Sequence, residues 1–181
     1  MTYVDQDAKS FGDALFMLAE ELNQTEEIKD DLQSLCKIMN SNPEYLKLLE
    51  TPALSREERL DLVDKAFKSL NKNLVNLVKI LVERRLLYLL NKINDAYIYA
   101  YDISRRIERV DAISAIQLSS AKIEKLQNKL ASITGKTIII NNTVDPSILG
   151  GMKIRYSGTQ IDGSLKTKLE NFEQALKDIV I

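Results

Sequence analysis

The sequence predicts an α+β protein. An N-terminal six-helix bundle occupies residues 1–105, and a small α/β domain with a mixed sheet occupies 106–181. Three observations predict this. Apolar residues recur at helical spacing through the first region, and the connections are short, which favours antiparallel neighbours in a bundle. Further on, the β-branched run Thr137 to Ile140 reads as a strand. Met152, Ile154 and Tyr156 then alternate with Lys153, Arg155 and Ser157, the period of a half-buried strand.

In chain order, Phe11, Ala14, Leu15, Leu18 and Leu22 form the inward stripe of a first helix from about Asp5 to Gln24. Ala8, Gly12 and Ala19 make a second face of small residues on it. Thr25 stands as the N-cap of a helix with Ile28, Leu32, Leu35, Cys36 and Met39 inward. Asn42-Pro43 ends that helix and opens a short one, Glu44 to Glu50. Thr51-Pro52 breaks the pattern again. Ser55 and Glu58 have the spacing of a capping box, with Leu60, Val63, Phe67 and Leu70 behind it.

After Asn71-Lys72-Asn73 comes a helix that is apolar around most of its circumference: Leu74, Val75, Leu77, Val78, Ile80, Leu81 and Val82. The sixth pattern starts near Leu86 and runs through Leu90, Ile93, Tyr97 and Tyr101 to Ile107. Tyr97, Tyr99 and Tyr101 also alternate as in a strand, but the i, i+4 spacing persists over several turns and favours helix. The boundary near Arg105 to Arg109 has neither Gly nor Pro, so the last helix can run straight into the second domain.

In that domain Ala112, Ser114 and Ile116 fall on one side of a strand within Val110 to Leu118. Ser119 or Ser120 caps a helix carrying Ile123, Leu126, Leu130 and Ile133, and Gly135 ends it. Strand, helix and strand imply a right-handed parallel crossover. Ser157-Gly158 supplies a hairpin turn. A final helix, Ser164 to Ile179, capped by Asp162 or Ser164, covers the sheet with Leu165, Leu169, Phe172 and Leu176.

Composition excludes several classes of function. There is no His, which removes the commonest general base and metal ligand. The one cysteine, Cys36, sits in an apolar helical stripe and reads as an inert buried thiol. Glu26-Glu27 and Glu57-Glu58 lie at helix starts, and adjacent helical residues point apart. No catalytic, cofactor-binding or metal-binding residue is assigned. Gly150-Gly151 precedes a strand, so it reads as a turn or bulge and not as a phosphate loop. No apolar run approaches the roughly 20 residues that span a bilayer, and the start, MTYVDQDAKS, shows no secretory signal. Net charge is -1. Residues 1–105 hold 14 basic and 18 acidic side chains, residues 106–181 hold 11 and 8, and the two halves differ in sign.

The helix Leu74 to Val82 is the anomaly, because a bundle helix normally shows water a polar face. Two readings stand. Val75, Val78 and Val82 and the small face of the first helix line a groove for an amphipathic partner helix, or the helix is central and wholly buried.

Asp145-Pro146, Leu149-Gly150-Gly151, a strand, a short turn, and Asp162-x-Ser164 followed by Leu169 together resemble the C-terminal signature of the delta subunit of F-type ATP synthases. The mitochondrial relative is the oligomycin-sensitivity-conferring protein. The order of the helices agrees, as do Phe11 and Ala14-Leu15 in the first of them and the breaks at Asn42-Pro43, Pro52 and Ser55. The chain departs from the family at Glu83-Arg84-Arg85, where an asparagine-x-arginine helix start is frequent, so no cap is assigned to the sixth helix.

The resemblance implies a non-catalytic stator subunit of the peripheral stalk, on the cytoplasmic face of the cell membrane and bound to it only through partners. It implies that the first and fifth helices hold the N-terminal segment of the alpha subunit, with Gly12, Leu15, Ala19, Val75, Val78 and Val82 in contact. It also implies that the second domain holds the C-terminal end of the b subunit. Gly150, Gly151, Asp162 and Ser164 match the motif and are structural first. No cofactor, nucleic acid or homo-oligomer is expected. The competing class is an RNA-binding helical factor of transcription antitermination type, to which Arg84-Arg85 and Arg105-Arg106 would belong.

Overall fold

The computed structural model describes residues 3–148, 150–156, 159–164 and 167. The Ser157-Gly158 turn, Leu149 and most of the expected final helix lie outside them. The chain divides into two compact units, Met1–Tyr101 and Asp102–Ile181. The sequence placed the boundary at 105/106. The division falls instead within a helix that continues to Ser104.

Among the described residues the first unit consists of α1 (Tyr3–Glu21), α2 (Thr25–Ser41), α3 (Pro43–Glu50), α4 (Arg56–Ala66), α5 (Lys72–Glu83), a short 3-10 turn (Leu87–Leu89) and the start of α6 (Leu90–Ser104). Two of these helices end in left-handed residues that are not glycine. Asn23 has φ +56°, and Gln24 N–H reaches back to Ala19 C=O at 2.8 Å. Arg85 likewise has φ +56°, and Leu86 N–H donates to Leu81 C=O at 2.8 Å. Both are Schellman closures, which satisfy free carbonyls at a helix end. The first takes up the α1–α2 connection so tightly that α2 begins at Thr25 itself, with Gln24 at the cap and no side-chain cap bond. Thr25 is therefore not the N-cap.

The capping box at α4 forms as the sequence predicts: Ser55 Oγ accepts from Glu58 N–H, and Glu58 accepts from Ser55 N–H at 2.8 Å. At the start of α5 the Asn71 side chain accepts from Asn73 N–H at 3.0 Å. Asn71 also binds back to the α1–α2 region. Its backbone N–H donates to Asp31 at 2.7 Å, and its side-chain amide donates to Gln24 and Glu27.

The core of this unit is built from the expected stripe of α2 and from Val63, Phe67, Leu89, Leu90, Ile93 and Tyr97. Tyr97 is wholly buried, yet its hydroxyl donates to Thr25 C=O at 2.9 Å and is not left unpartnered. Cys36 lies in this core with its Sγ toward Leu90 C=O. Burial, and secondarily the charge of Asp95, push its thiol up to about 11.

The second unit contains β1 (Ile107–Ser114), α7 (Ser120–Thr134), β2 (Thr137–Val144), β3 (Met152–Tyr156) and β4 (Thr159–Asp162). Their order in the sheet is β2-β1-β3-β4. β1 and β2 are parallel, joined through α7, and the other two pairings are antiparallel. The fold is therefore α+β with a mixed sheet.

Register puts Val110, Ala112 and Ser114 on the face shared by Ile138, Ile140, Met152, Ile154 and Ile161. The alternation read in β3 is thus real. Ile116 does not join that face: β1 ends at Ser114, and Ile116 is exposed. On α7, Ile123, Leu126 and Leu130 are half-buried, while Ile133 turns outward.

One polar residue missed in the sequence stitches this unit. Asn142 on β2 donates to Ala112 C=O and Ser114 Oγ, both at 2.8 Å, and accepts from Leu118 N–H at 2.8 Å.

Candidate partner-binding surface

On α1 the packing face is the one made of small residues. Ala8, Gly12, Leu15, Phe16 and Ala19 are buried, at the i, i+4, i+7, i+8 and i+11 spacing of a single stripe. A Cβ on Gly12 would lie 2.5 Å from the Ala96 Cβ and 2.9 Å from Ile93 C=O, so α1 and α6 cross in contact at this glycine. Phe16 completes the crossing edge-on to Tyr97, with ring centroids 5.7 Å apart.

This reverses part of the expected arrangement. Ala14, Leu18 and Leu22, assigned inward from the sequence, are exposed together with Met17. Small side chains let a neighbouring backbone approach, and α6 has used that opportunity. The larger apolar residues are left on the outside.

All six residues expected to line the groove are buried within the unit: Gly12, Leu15, Ala19, Val75, Val78 and Val82. Val78 is 0% exposed. Leu74, Leu77 and Leu81 are buried as well, while Lys72, Asn76, Ile80 and Glu83 form one exposed face of α5, and Ile80 is the one large apolar residue on it. Neither reading of α5 holds in full: the valines are packed within the unit, yet the helix is not wholly buried, because it keeps one exposed face. Among the described residues, none of the three valines nor Gly12 is exposed, and Val75 alone of these four is seen to border an open groove.

What does face solvent is an apolar strip on the second half of α1. Ala14, Met17 and Leu18 line an open groove of about 570 Å³ that Glu20 and Glu21 border. Met17 is 69% exposed and Leu22, one turn on from Leu18, 47%. Residues 14, 17, 18 and 22 sit on one helical face. Methionine and leucine there give a deformable apolar surface, and the glutamates give it a sign. Nothing in this strip can carry out bond-making chemistry. It can bury the apolar face of another helix.

The motif residues occupy a different place and have a structural role. Gly151 has φ +81°, and a Cβ there would meet Gly163 C=O at 2.4 Å. The chain leaving Ile148 therefore passes directly against the backbone that follows β4. Gly163 N–H donates to Met152 C=O at 3.0 Å and fixes the crossing.

Asp162 accepts from Ser164 N–H at 2.9 Å and pairs with Lys153 at 3.1 Å. The Ser164 hydroxyl and N–H, helped by Lys153, hold the Asp162 carboxyl well below its usual range. Ser164 is buried, and its Oγ lies 3.4 Å from Thr167 N, where a helix cap would be. Gly150 is half-buried beside the turn. Asp145, also half-buried, accepts from Ser147 N–H at 2.9 Å, while Pro146 is exposed. The Asp-Pro pair is thus a surface turn, and Ile148 is the residue it buries.

Tyr97 and Tyr101 are core residues, as their helical spacing predicts. The Tyr101 ring carries the Lys29 ammonium 4.5 Å from its centroid, and its hydroxyl bonds to Glu26. No helix among the described residues is long and apolar enough to cross a membrane.

Comparison with known proteins gives these surfaces a context. Residues 8–176 match the family model described as ATP synthase delta (OSCP) subunit. The ATP synthase subunit delta of Clostridioides difficile is 33% identical over 175 residues, covering 96% of this chain and 97% of that protein. That of Brucella ovis is 33% identical over 174 residues, covering 95% and 94%. The fold matches a chain in the cryo-EM structure of the Toxoplasma gondii mitochondrial ATP synthase hexamer at a TM-score of 0.68, with 21% identity and coverage of 97% and 98%. With the family model spanning most of the sequence and a relative a third identical over nearly all of it, the chain belongs to the ATP synthase delta (OSCP) subunit family.

Proposed function

We propose that the chain is a tether in the peripheral stalk of an F-type ATP synthase, a subunit without catalytic chemistry of its own. Its first unit grips the N-terminal segment of an alpha subunit through the outer strip of α1. Its second unit, Asp102–Ile181, holds the C-terminal end of the b subunit. The protein is held at the cytoplasmic face of the membrane by these partners. Rotation of a central shaft exerts torque on the catalytic head. A static tether keeps the head from turning with the shaft, so that ion flow stays coupled to ATP synthesis. Because both grips lie on one chain, each raises the effective concentration for the other, and moderate affinities suffice.

The observation that carries this reading is the run of exposed apolar residues Ala14, Met17, Leu18 and Leu22 on α1, three of which line an open groove. Family membership supports the choice of partner. Family membership speaks against the antitermination alternative, and Tyr97 and Tyr101 are core residues.

A fluorescence-anisotropy titration with a labelled peptide of the alpha subunit N-terminus tests the proposal. Met17→Asp is expected to weaken binding by at least about tenfold, the effect of a charge placed in an apolar contact, with an unchanged circular dichroism spectrum. Binding that survives Met17→Asp and Leu18→Asp together removes α1 from the interface. Val78→Asp serves as the contrast, since it buries an unpaired charge and unfolds the unit.

A further inference from the structure

A second groove opens on the helical unit, where α4 ends and α5 begins. Its volume is about 520 Å³, and its apolar floor is Phe67, Leu70 and Val75. The floor is rigid. Phe67 packs edge-on against Tyr45 at 6.0 Å, and the Tyr45 hydroxyl donates to Leu62 C=O at 3.0 Å. Val75 of α5 borders this groove on the α4 side.

Around that floor stand Lys65, Lys68, Lys72 and Lys79, with Asp64 the one carboxylate in the lining. Lys79 pairs with Asp64 at 2.6 Å, and Lys65 with Asp61 at 2.5 Å. Lys68 and Lys72 are exposed and make no ion pair among the described residues. The region 1–105 is net acidic, yet 4 of its 14 basic side chains converge here.

We propose that the α4–α5 groove is a second docking site, taking an acidic segment of a protein partner that seats one apolar side chain on Phe67, Leu70 and Val75. Charge complementarity selects the occupant: lysines in excess over a recessed apolar floor match carboxylates flanking an apolar anchor. A lipid surface fits less well. Membrane-binding faces push apolar side chains outward, whereas here Phe67 and Val75 lie at the bottom of a concavity with Asp64 on its wall. This site shares no residue with the α1 strip and does not depend on the reading given above.

The test is a ¹⁵N–¹H NMR titration of the full chain with a synthetic helical peptide carrying glutamates around a central leucine. An isosteric peptide with glutamine for glutamate serves as the control. Shifts are expected at Lys68, Leu70, Lys72 and Asn76, with affinity falling as salt rises. The double variant Lys68→Glu, Lys72→Glu should weaken binding at least about tenfold, and Met17→Asp should leave it unchanged. Should the double reversal disturb the fold, Lys68→Gln, Lys72→Gln carries the same readout with less repulsion.

The proposal is overturned by equal affinity for the glutamine peptide, by unchanged affinity in both double variants, or by shifts confined to α1. It is also overturned if vesicles containing phosphatidylserine are bound through Lys68 and Lys72 while the peptide is not.

Discussion

Gly12 lies against Ala96 so closely that a methyl group on the glycine would stand 2.5 Å from the alanine's own. The crossing of α1 and α6 is set by this absence of a side chain. Gly12→Val is expected to lower the stability of the helical unit by about 1–3 kcal/mol, the range for overpacking a close contact. The backbone atoms of Ile93 and Tyr97, at 2.9 and 3.0 Å from the added Cβ, leave little room for relief. Urea denaturation followed by circular dichroism measures it. A midpoint equal to that of the parent protein would mean the helices cross elsewhere.

Gly151 and Gly135 both have positive φ, at +81° and +67°, but their surroundings differ. Nothing lies within 4 Å of a Cβ on Gly135, whereas one on Gly151 collides with Gly163 C=O. Asparagine tolerates left-handed backbone, so Gly135→Asn should cost under about 1 kcal/mol. Gly151→Asn should cost clearly more, because it must push apart the crossing that joins the two ends of the β3–β4 hairpin. Hydrogen exchange at Met152 and Gly163 separates the two outcomes. Equal protection in both variants would refute the assignment of Gly151 as a packing position.

Asp162 supplies a pH dependence of known sign. Its folded-state pKa lies below the usual 3.8 because Ser164, then Lys153, stabilise the carboxylate. A depressed pKa contributes stability that is complete above the unfolded value and is lost as pH falls through the folded one. The second unit should therefore weaken progressively below about pH 4. Asp162→Asn should be less stable near neutrality and show a flatter acid limb. Denaturant midpoints at several acidic pH values give the slope, and an unaltered slope in the variant would contradict the linkage.

Cys36 should be inert. A thiol pushed up to about 11 by burial has almost no thiolate at neutral pH, and thiolate is the reactive species. Reaction with an aromatic disulfide reagent is expected to be slow in buffer and rapid in denaturant. Fast labelling of the native protein would show that the α2 core opens readily.

These residues also mark what could be read in advance. The Ser55–Glu58 box, the α2 stripe and the alternation of β3 are local patterns with one structural solution each, and each forms. The first helix is different. It has two apolar faces, and periodicity locates both without deciding which meets a neighbour. Size misleads at that point, since Leu18 and Leu22 look like core while Gly12 and Ala19 look like a vacancy. Close approach favours the vacancy.

In α5 packing took the faces that carry the leucines and valines and left the one with Lys72, Asn76, Ile80 and Glu83 to solvent. Asn71 and Asn142 were invisible for another reason. Their long-range hydrogen bonds reach residues 24 to 47 positions away, and no spacing rule connects such partners. The resemblance of residues 145–169 drew attention to Gly151 and Asp162, but it could not say that Gly163 is what Gly151 meets.

The position of β1 in its sheet has a mechanical meaning. Only two residues separate the end of α6 from this strand, and β1 lies between β2 and β3. A force arriving through the start of the second unit is thus received by an inner strand with hydrogen-bonded ladders on both sides. Such a strand must shear many bonds at once, whereas a hairpin at the rim would peel open one bond after another. For a part whose work is to resist twisting over repeated cycles, that makes the entry point of the load the stiffest strand available to it.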